Sequence, residues 1–341
     1  MNPSPDAVRV AIAGAASLRG KELKLLLEES NFPAAEIRLF DEDIVAGTLT
    51  EAGGEPAVIE TVDEDSFERV RFAFFTGSPG FSVRHGIEAR RVGATVIDLS
   101  GGLSAESGAR LWIPALDGVL APAEAKKVPS EPRSLFLAPS APADVAISLS
   151  AAFALMGLTR LVLTFFQPVS ERGREGVEEL EDQVVKLLSF EPIPQKVFDA
   201  QVGFNLLPTY GEESSEKLSD VRAGIVGEVR NYLAGRLPMP AIALVQAPVF
   251  YSHAFTAYAE FKAVPEVKGV EAQLKHAGLK VAAAGDPAPT NVSVAGEARP
   301  VIAQPEADPG IETGVWLWGA ADNLRVPAAT AVAIAEKLLA S

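Results

Sequence analysis

Apolar runs and helix-period segments alternate through the first third of the chain: VRVAIAG, KELKLLLEESN, IRLF, VRFAFFTG, VRHGIEARRVG and TVIDLS. Short apolar runs separated by amphipathic stretches give βαβ order. That order predicts an α/β unit on a parallel, doubly wound, Rossmann-type sheet. The strands end in small or acidic residues: Gly14, Asp41, Thr76 with Gly77, and Ser100 with Gly101. Ligands of such sheets sit beyond the carboxyl ends of the strands, so these residues line the predicted crevice.

Past Ala105 the pattern changes. PALDGVLAPAEAKKVPSEP is rich in Pro and Ala, and SLFLAPSAPADVAISLSAAFALMG then runs into an apolar helix. From Thr159 the chain reads as a strand (RLVLTFFQPV), a polar turn and an amphipathic helix (GVEELEDQVVKLL). Further strands (AIALVQAPVFY, AFTAYAEFKA) and a last helix from about Ala328 to Ala340 follow. Strands and helices mix without strict alternation, which predicts a second domain of α+β type with a mixed sheet. The expected division is 1–130, 131–321 and a closing helix within 322–341. GDPAPTNVSVAGEARP and QPEADPG read as surface loops.

The turn AIAGAASLRG carries the first candidate chemistry. In a dinucleotide fingerprint one glycine makes the turn, a second lets backbone approach the pyrophosphate, and a third allows close helix packing. Gly14 and Gly20 hold the outer places and Ser17 the middle one. The Cβ of Ser17 crowds the phosphate path, while amides near Ala16, Ser17 and Leu18 are expected to face an anion. Asp41, at the end of the second strand, suits ribose hydroxyls and opposes a 2′-phosphate. The expectation is weak NAD binding, with NADP disfavoured.

Composition narrows the rest. Forty-five acidic against 30 basic residues leave a net charge of −15, which argues against nucleic acid and anionic membranes as partners. No run of about 18 uncharged apolar residues occurs, and MNPSPDAVRV lacks a signal-peptide pattern, so a cytoplasmic protein is expected. The absence of cysteine excludes disulfides, thiolate metal sites and thiol nucleophiles. Three scattered histidines make no metal site. The pair Glu178 and Glu179 is expected at a helix start, with the two carboxylates pointing apart. Trp316 and Trp318 alternate in VWLW and should share one face of a strand. With the apolar strands between Ala241 and Ala263 they exceed what one small domain needs to cover itself, which predicts a two-fold homodimer.

NFPAAEIRLF, ATVIDLS, GLTRLVLTFFQPVSERGREGVEEL, FNLLPTYG, QAPVFYSHAFTAYAEF and ADNLR followed by AA occur in that order. Together they make the chain, from about Val8 to Leu339, resemble the aspartate-semialdehyde dehydrogenase family. The resemblance implies a Rossmann-type cofactor domain, a mixed-sheet dimerisation domain and a C-terminal helix returning to the first domain. It also implies reversible reduction of β-aspartyl phosphate through a cysteine thioester.

That chemistry requires a thiolate. By the resemblance, APSAP occupies the nucleophile segment and puts Ala141 at the cysteine position, beside Ser140. Gln246 stands at the substrate-arginine position, without a guanidinium fork for a carboxylate. Ser104 and Asp117 fall where phosphate contacts are expected. Val221 or Arg222, and Gly224, fall where a Glu and a Lys are expected. Thr330, Ala331 and Ile334 stand near the cofactor-side Asn and Gln positions. Gln167 keeps the substrate-orienting position and His253 the general acid/base position, and an imidazole can work near neutrality. His85 and His276 lie on charged helix faces.

The expected function is therefore a family homologue without the catalytic set, resembling the cysteine-less Usg-type proteins, with a binding or structural role. The alternative is an NAD(P)-dependent oxidoreductase acting on an aldehyde, in which His253 works without a covalent step.

Overall fold

The computed structural model describes residues 8–30, 32–42, 47–52, 55–119 and 134–340. The chain forms two compact units. One comprises Met1–Pro114, Ala125–Pro139 and Pro327–Ser341, the other Ala115–Glu124 and Ser140–Val326. The expected boundary at 130/131 lies outside the described residues.

The first unit runs β1 (Val8–Ala13), α1 (Leu18–Glu29), β2 (Ala34–Phe40), a β3 (Leu49–Ala52) and β4 (Glu55–Val58) hairpin, β5 (Phe72–Phe75), α2 (Pro79–Arg91), β6 (Thr95–Asp98), β7 (Ala109–Leu111) and β8 (Leu135–Leu137). Its sheet has the order β2-β1-β5-β6-β8-β7, and every pairing is parallel. Strands covered on both faces carry unbroken apolar runs, and β5 is buried at all four positions of FAFF. On one face Val10, Ile12, Phe72, Phe74 and Phe136 share a core with Ala328, Ala331, Ile334 and Ala335 of the C-terminal segment. On the other, Ala11, Phe40, Phe75 and Val96 pack with Phe67 and Phe81.

The second unit runs α3 (Ala141–Phe153), β9 (Leu158–Gln167), α4 (Gly173–Leu188), α5 (Leu218–Leu233), β10 (Ala241–Gln246), β11 (His253–Phe261), α6 (Val267–His276), β12 (Lys280–Val281), β13 (Val301–Ile302), β14 (Glu306–Ala307) and β15 (Gly314–Ala321). It ends at the start of α7 (Arg325–Leu339). The sheet order is β10-β9-β11-β15-β13-β12, with β14 on β15. Pairing is parallel in β10/β9 and β12/β13, and antiparallel along β9-β11-β15-β13. It is a mixed sheet.

Alternation along β11 buries His253, Phe255, Ala257, Ala259 and Phe261, and leaves the residues between them half-exposed. On that second face Tyr258 pairs with Trp316 and Thr256 with Trp318, so the tryptophans do share one side. All thirteen residues of α3 are buried, and the helix packs against α5, α6 and β9. Burying a side chain such as Ile147, Leu149 or Phe153 stabilises by about 1.5–3 kcal/mol.

The start of α4 at Gly173 corrects the reading of the acidic pair: Glu178 and Glu179 sit beyond its first turn. Glu179 is buried and accepts the amides of Lys196 (2.6 Å), Val197 (2.7 Å) and Phe198 (3.2 Å). One turn later Gln183 donates to Pro194 O and Ala200 O and accepts the amides of Val202 and Gly203. These two side chains hold the connection between α4 and α5. The last helix starts at Arg325, three residues before the expected Ala328.

Candidate functional site

In the first unit the expected crevice residues converge on the β1–α1 turn. Gly14 has φ +98°, and a Cβ there would lie 2.1 Å from the amide nitrogen of Gly77; one on Gly20 would lie 2.3 Å from Gly14 O. Backbone packing alone therefore demands both glycines. Ser17 caps α1, its Oγ accepting Gly20 N–H at 2.9 Å and donating to Thr76 O at 2.9 Å. Thr76 Oγ1 donates to Gly14 O at 3.0 Å.

The turn's amides are largely turned inward. Gly14 and Ala15 donate to Phe40 O, and Ala16 donates to Asp41 Oδ2 at 2.7 Å. The Ser17 amide, expected to face an anion, donates to Gly14 O instead. Leu18 opens α1. Asp41 Oδ1 also accepts Glu42 N–H, which fixes the carboxylate beside the turn. Ser100 is committed elsewhere: its Oγ donates to Asp98 Oδ1 at 2.6 Å and accepts Gly102 N–H at 3.0 Å. Burial pushes the Asp98 carboxyl above its ordinary range.

In the second unit Gln167 and Gln246 end the parallel pair β9/β10 in register. Both are buried and linked through Tyr210, which sequence reasoning did not single out. Gln167 Nε2 donates to Tyr210 Oη at 2.9 Å, and Tyr210 Oη donates to Gln246 Oε1 at 2.7 Å. Gln246 Nε2 donates to Gln167 O at 2.8 Å and Ala247 O at 3.0 Å. The ring of contacts carries no charge, and every polar atom of the Gln246 side chain lies inside it. Burial pushes the Tyr210 phenol well above its ordinary range, so it remains a donor.

His253 heads β11, 1% exposed, with Nδ1 3.9 Å from Glu171 Oε1 and its ring edge-on to Phe165. Glu171 Oε1 also accepts from Asn323 Nδ2 at 3.2 Å. Asn323 Oδ1 accepts the amide of Ser252, a buried residue at φ +66°. A histidine–carboxylate–asparagine cluster therefore stands beside the neutral network. Neither Glu171 nor Asn323 was anticipated, although QPVSER contains the first and ADNLR the second. Contacts 71 and 153 residues apart in sequence assemble this cluster, and no local pattern encodes them.

Ala141 is the first residue of α3, following Ser140, whose amide donates to Glu228 Oε2 at 2.7 Å. Ala331 and Ile334 lie in the first unit's core. His85 packs on Phe81 at 4.7 Å, and His276 is exposed at the end of α6. Among the described residues no group of three or more His, Asp or Glu could hold a metal ion, and no helix is long and apolar enough to cross a membrane.

Comparison with known proteins matches both units. Residues 9–124 fit the NAD binding domain of semialdehyde dehydrogenase, and residues 149–326 fit its dimerisation domain. A USG-1 protein homolog of Pseudomonas aeruginosa is 30% identical over 97% of this chain and 98% of its own length. One from Azotobacter vinelandii is 28% identical over 99% of each. A solved structure of a probable aspartate-semialdehyde dehydrogenase from Pseudomonas aeruginosa is similar at a TM-score of 0.84 and 30% identity, covering 97% of this chain and 98% of that one. Aspartate semialdehyde dehydrogenase II from Vibrio cholerae is similar at 0.86 and 25%, covering 98% and 99%. With a parallel nucleotide-type sheet, a mixed second sheet and both family domains matched in order, the chain belongs to the semialdehyde dehydrogenase family and resembles its USG-1 members.

Proposed function

We propose that this chain is a family member without acyl-transfer activity, acting as a homodimeric, cytoplasmic binding protein. The observation that carries the reading is the closed Gln167–Tyr210–Gln246 ring. Gln246, at the position where the resemblance calls for an arginine, has both its oxygen and its nitrogen committed, so it offers no fork to a carboxylate. Ala141 supports the same reading, since a methyl group at the start of α3 supplies no nucleophile and the chain contains no cysteine to replace it.

The first unit supports weak NAD binding. Asp41 would hold the ribose hydroxyls, and the turn from Gly14 to Gly20, with Thr76 and Gly77 behind it, would border the pyrophosphate. The inward-turned amides limit that contact. The proposed organisation keeps a nucleotide-type domain over 1–130, a dimerisation domain over 131–321 and a returning helix over 322–341.

The second reading, a non-thioester NAD(P)-dependent oxidoreductase of amino-acid biosynthesis, draws on the His253–Glu171 contact as a general acid/base pair. One assay tests the first reading. Purified protein given aspartate semialdehyde, phosphate and NADP should show no turnover. Phosphate-dependent reduction of NADP that survives repurification and disappears in His253→Ala would overturn the first reading.

A further inference from the structure

The stretch that follows β2, DEDIVAGT, carries no arginine to meet a 2′-phosphate, but the first unit brings one beside it from another element. Asp41 is buried, and backbone amides meet both its oxygens: Oδ2 accepts Ala16 N–H at 2.7 Å and Oδ1 accepts Glu42 N–H at 2.8 Å. That carboxylate is bound into the turn. Glu42 reaches the other way, its Oε1 accepting the hydroxyl of Ser78 at 2.9 Å and standing 3.6 Å from Nη2 of Arg84 on α2. Ser78 is the N-cap of that helix, its Oγ accepting Phe81 N–H at 3.2 Å, and it follows Gly77, against whose amide nitrogen Gly14 packs. In the sheet order β2-β1-β5 these contacts lead from the end of β2, past the β1–α1 turn, to the turn after β5. They frame the ribose end of the crevice.

The charges along this frame decide what can enter it. A 2′-phosphate beside Asp41 would face two carboxylates and one guanidinium, whereas an unphosphorylated ribose brings only hydroxyls to the same acceptors. The side chains of Glu42 and Arg84 are both exposed, so their pair is weak and its rearrangement costs little. Neutralising Glu42 reverses the balance. One carboxylate, already bonded to two amides, would then stand against an arginine whose planar fork suits a phosphate.

We propose that Glu42, more than Asp41, sets the dinucleotide preference, by pairing with Arg84 and so withholding it from a 2′-phosphate. The proposal rests on the reading of the first unit as a weak NAD site and names the residue that selects the nucleotide.

Adenosine 5′-monophosphate and adenosine 2′,5′-bisphosphate differ only in the 2′-phosphate and serve as probes beside NAD and NADP. In ligand-observed NMR titrations the full-length, unsubstituted protein should bind the monophosphate and NAD more tightly than their 2′-phosphorylated counterparts. Glu42→Gln keeps an acceptor for Ser78 and removes the charge. With an unchanged melting profile, that variant should bind the bisphosphate and NADP about tenfold more tightly, and the monophosphate and NAD within about twofold of the unsubstituted chain. Arg84→Ala in the same background should erase the gain. A bisphosphate affinity that is unchanged or undetectable in Glu42→Gln would overturn the proposal, and so would a gain that persists without Arg84. Failure of NAD to bind the unsubstituted chain would instead remove the weak-NAD reading, while the bisphosphate titration of Glu42→Gln would still decide for or against the role of Glu42.

Discussion

Asn323 Oδ1 accepts the amide of Ser252 at 2.9 Å, so a side chain 71 residues away holds the backbone immediately before His253. Ser252 sits at φ +66°, a conformation that costs a residue other than glycine about 1 kcal/mol or more. Asn323 offsets that cost and, through Nδ2, ties Ser170 and Glu171 to the same point.

Removing Asn323 should therefore leave a buried amide without an acceptor. Asn323→Ala is expected to lower stability by about 2 kcal/mol in urea unfolding. Ser252→Gly, introduced into that variant, should recover part of the loss by relieving the strained backbone. A double variant no more stable than Asn323→Ala would show that the left-handed conformation contributes little.

The phenol of Tyr210 makes a pH prediction. Its pKa is raised in the folded chain, chiefly by burial, above the ordinary value of 10.0. Between those two values the folded state keeps a proton that the unfolded state has released. Stability should fall as pH rises past about 10, with a slope near 1.4 kcal/mol per pH unit from this group. Tyr210→Phe should be less stable at neutral pH yet lose less between pH 10 and 11, as denaturant melts at stepped pH would reveal.

In the β1–α1 turn the two glycine-related positions should lose stability to different degrees. Gly14→Ala drives a Cβ into Gly77 and strains a φ of +98°, and should cost about 3 kcal/mol or more by thermal melting. Ser17→Gly removes an N-cap acceptor and the bond to Thr76 O, costing about 1 kcal/mol. It also clears the phosphate path, so calorimetry should find tighter NAD binding than the tens of micromolar, or weaker, expected of the unsubstituted chain. If millimolar NAD gives no heat with either protein, the turn serves packing alone.

Trp318 lies on the face of β15 that also presents Trp316, and both are more than a third exposed in the single chain. Two neighbouring indoles on one sheet face suit a two-fold contact. Trp318→Glu should halve the mass seen by light scattering at micromolar protein. An unchanged mass would place the interface elsewhere.

The parallel sheet was legible because β5 and β6 are short apolar runs on either side of the helix α2, and their neighbours enforce the same burial on both faces. The β3–β4 hairpin gave no comparable signal, since Leu49 and Val58 remain exposed and Ala57 is only partly buried against the core. Gln167 and His253 were legible only through segments resembling a family. Tyr210 joined them through a bond to Gln246 from a segment with no regular secondary structure, where periodicity carries no information. Gly14 and Gly20 were read as signs of a ligand, whereas their geometry shows that contact with Gly77 and with the turn itself already requires them.

The Glu179 and Gln183 anchors give the connection between α4 and α5 a kinetic character unlike that of an ordinary loop. Amides at Lys196, Val197, Phe198, Val202 and Gly203 are bonded to two buried side chains of one helix. Their release requires that helix to give way, so in deuterium exchange they should open with α4 and not with exposed turns. A protease should likewise find this irregular stretch closed while the fold stands. The segment that delivers Tyr210 would then behave as an outlying piece of the helix that grips it.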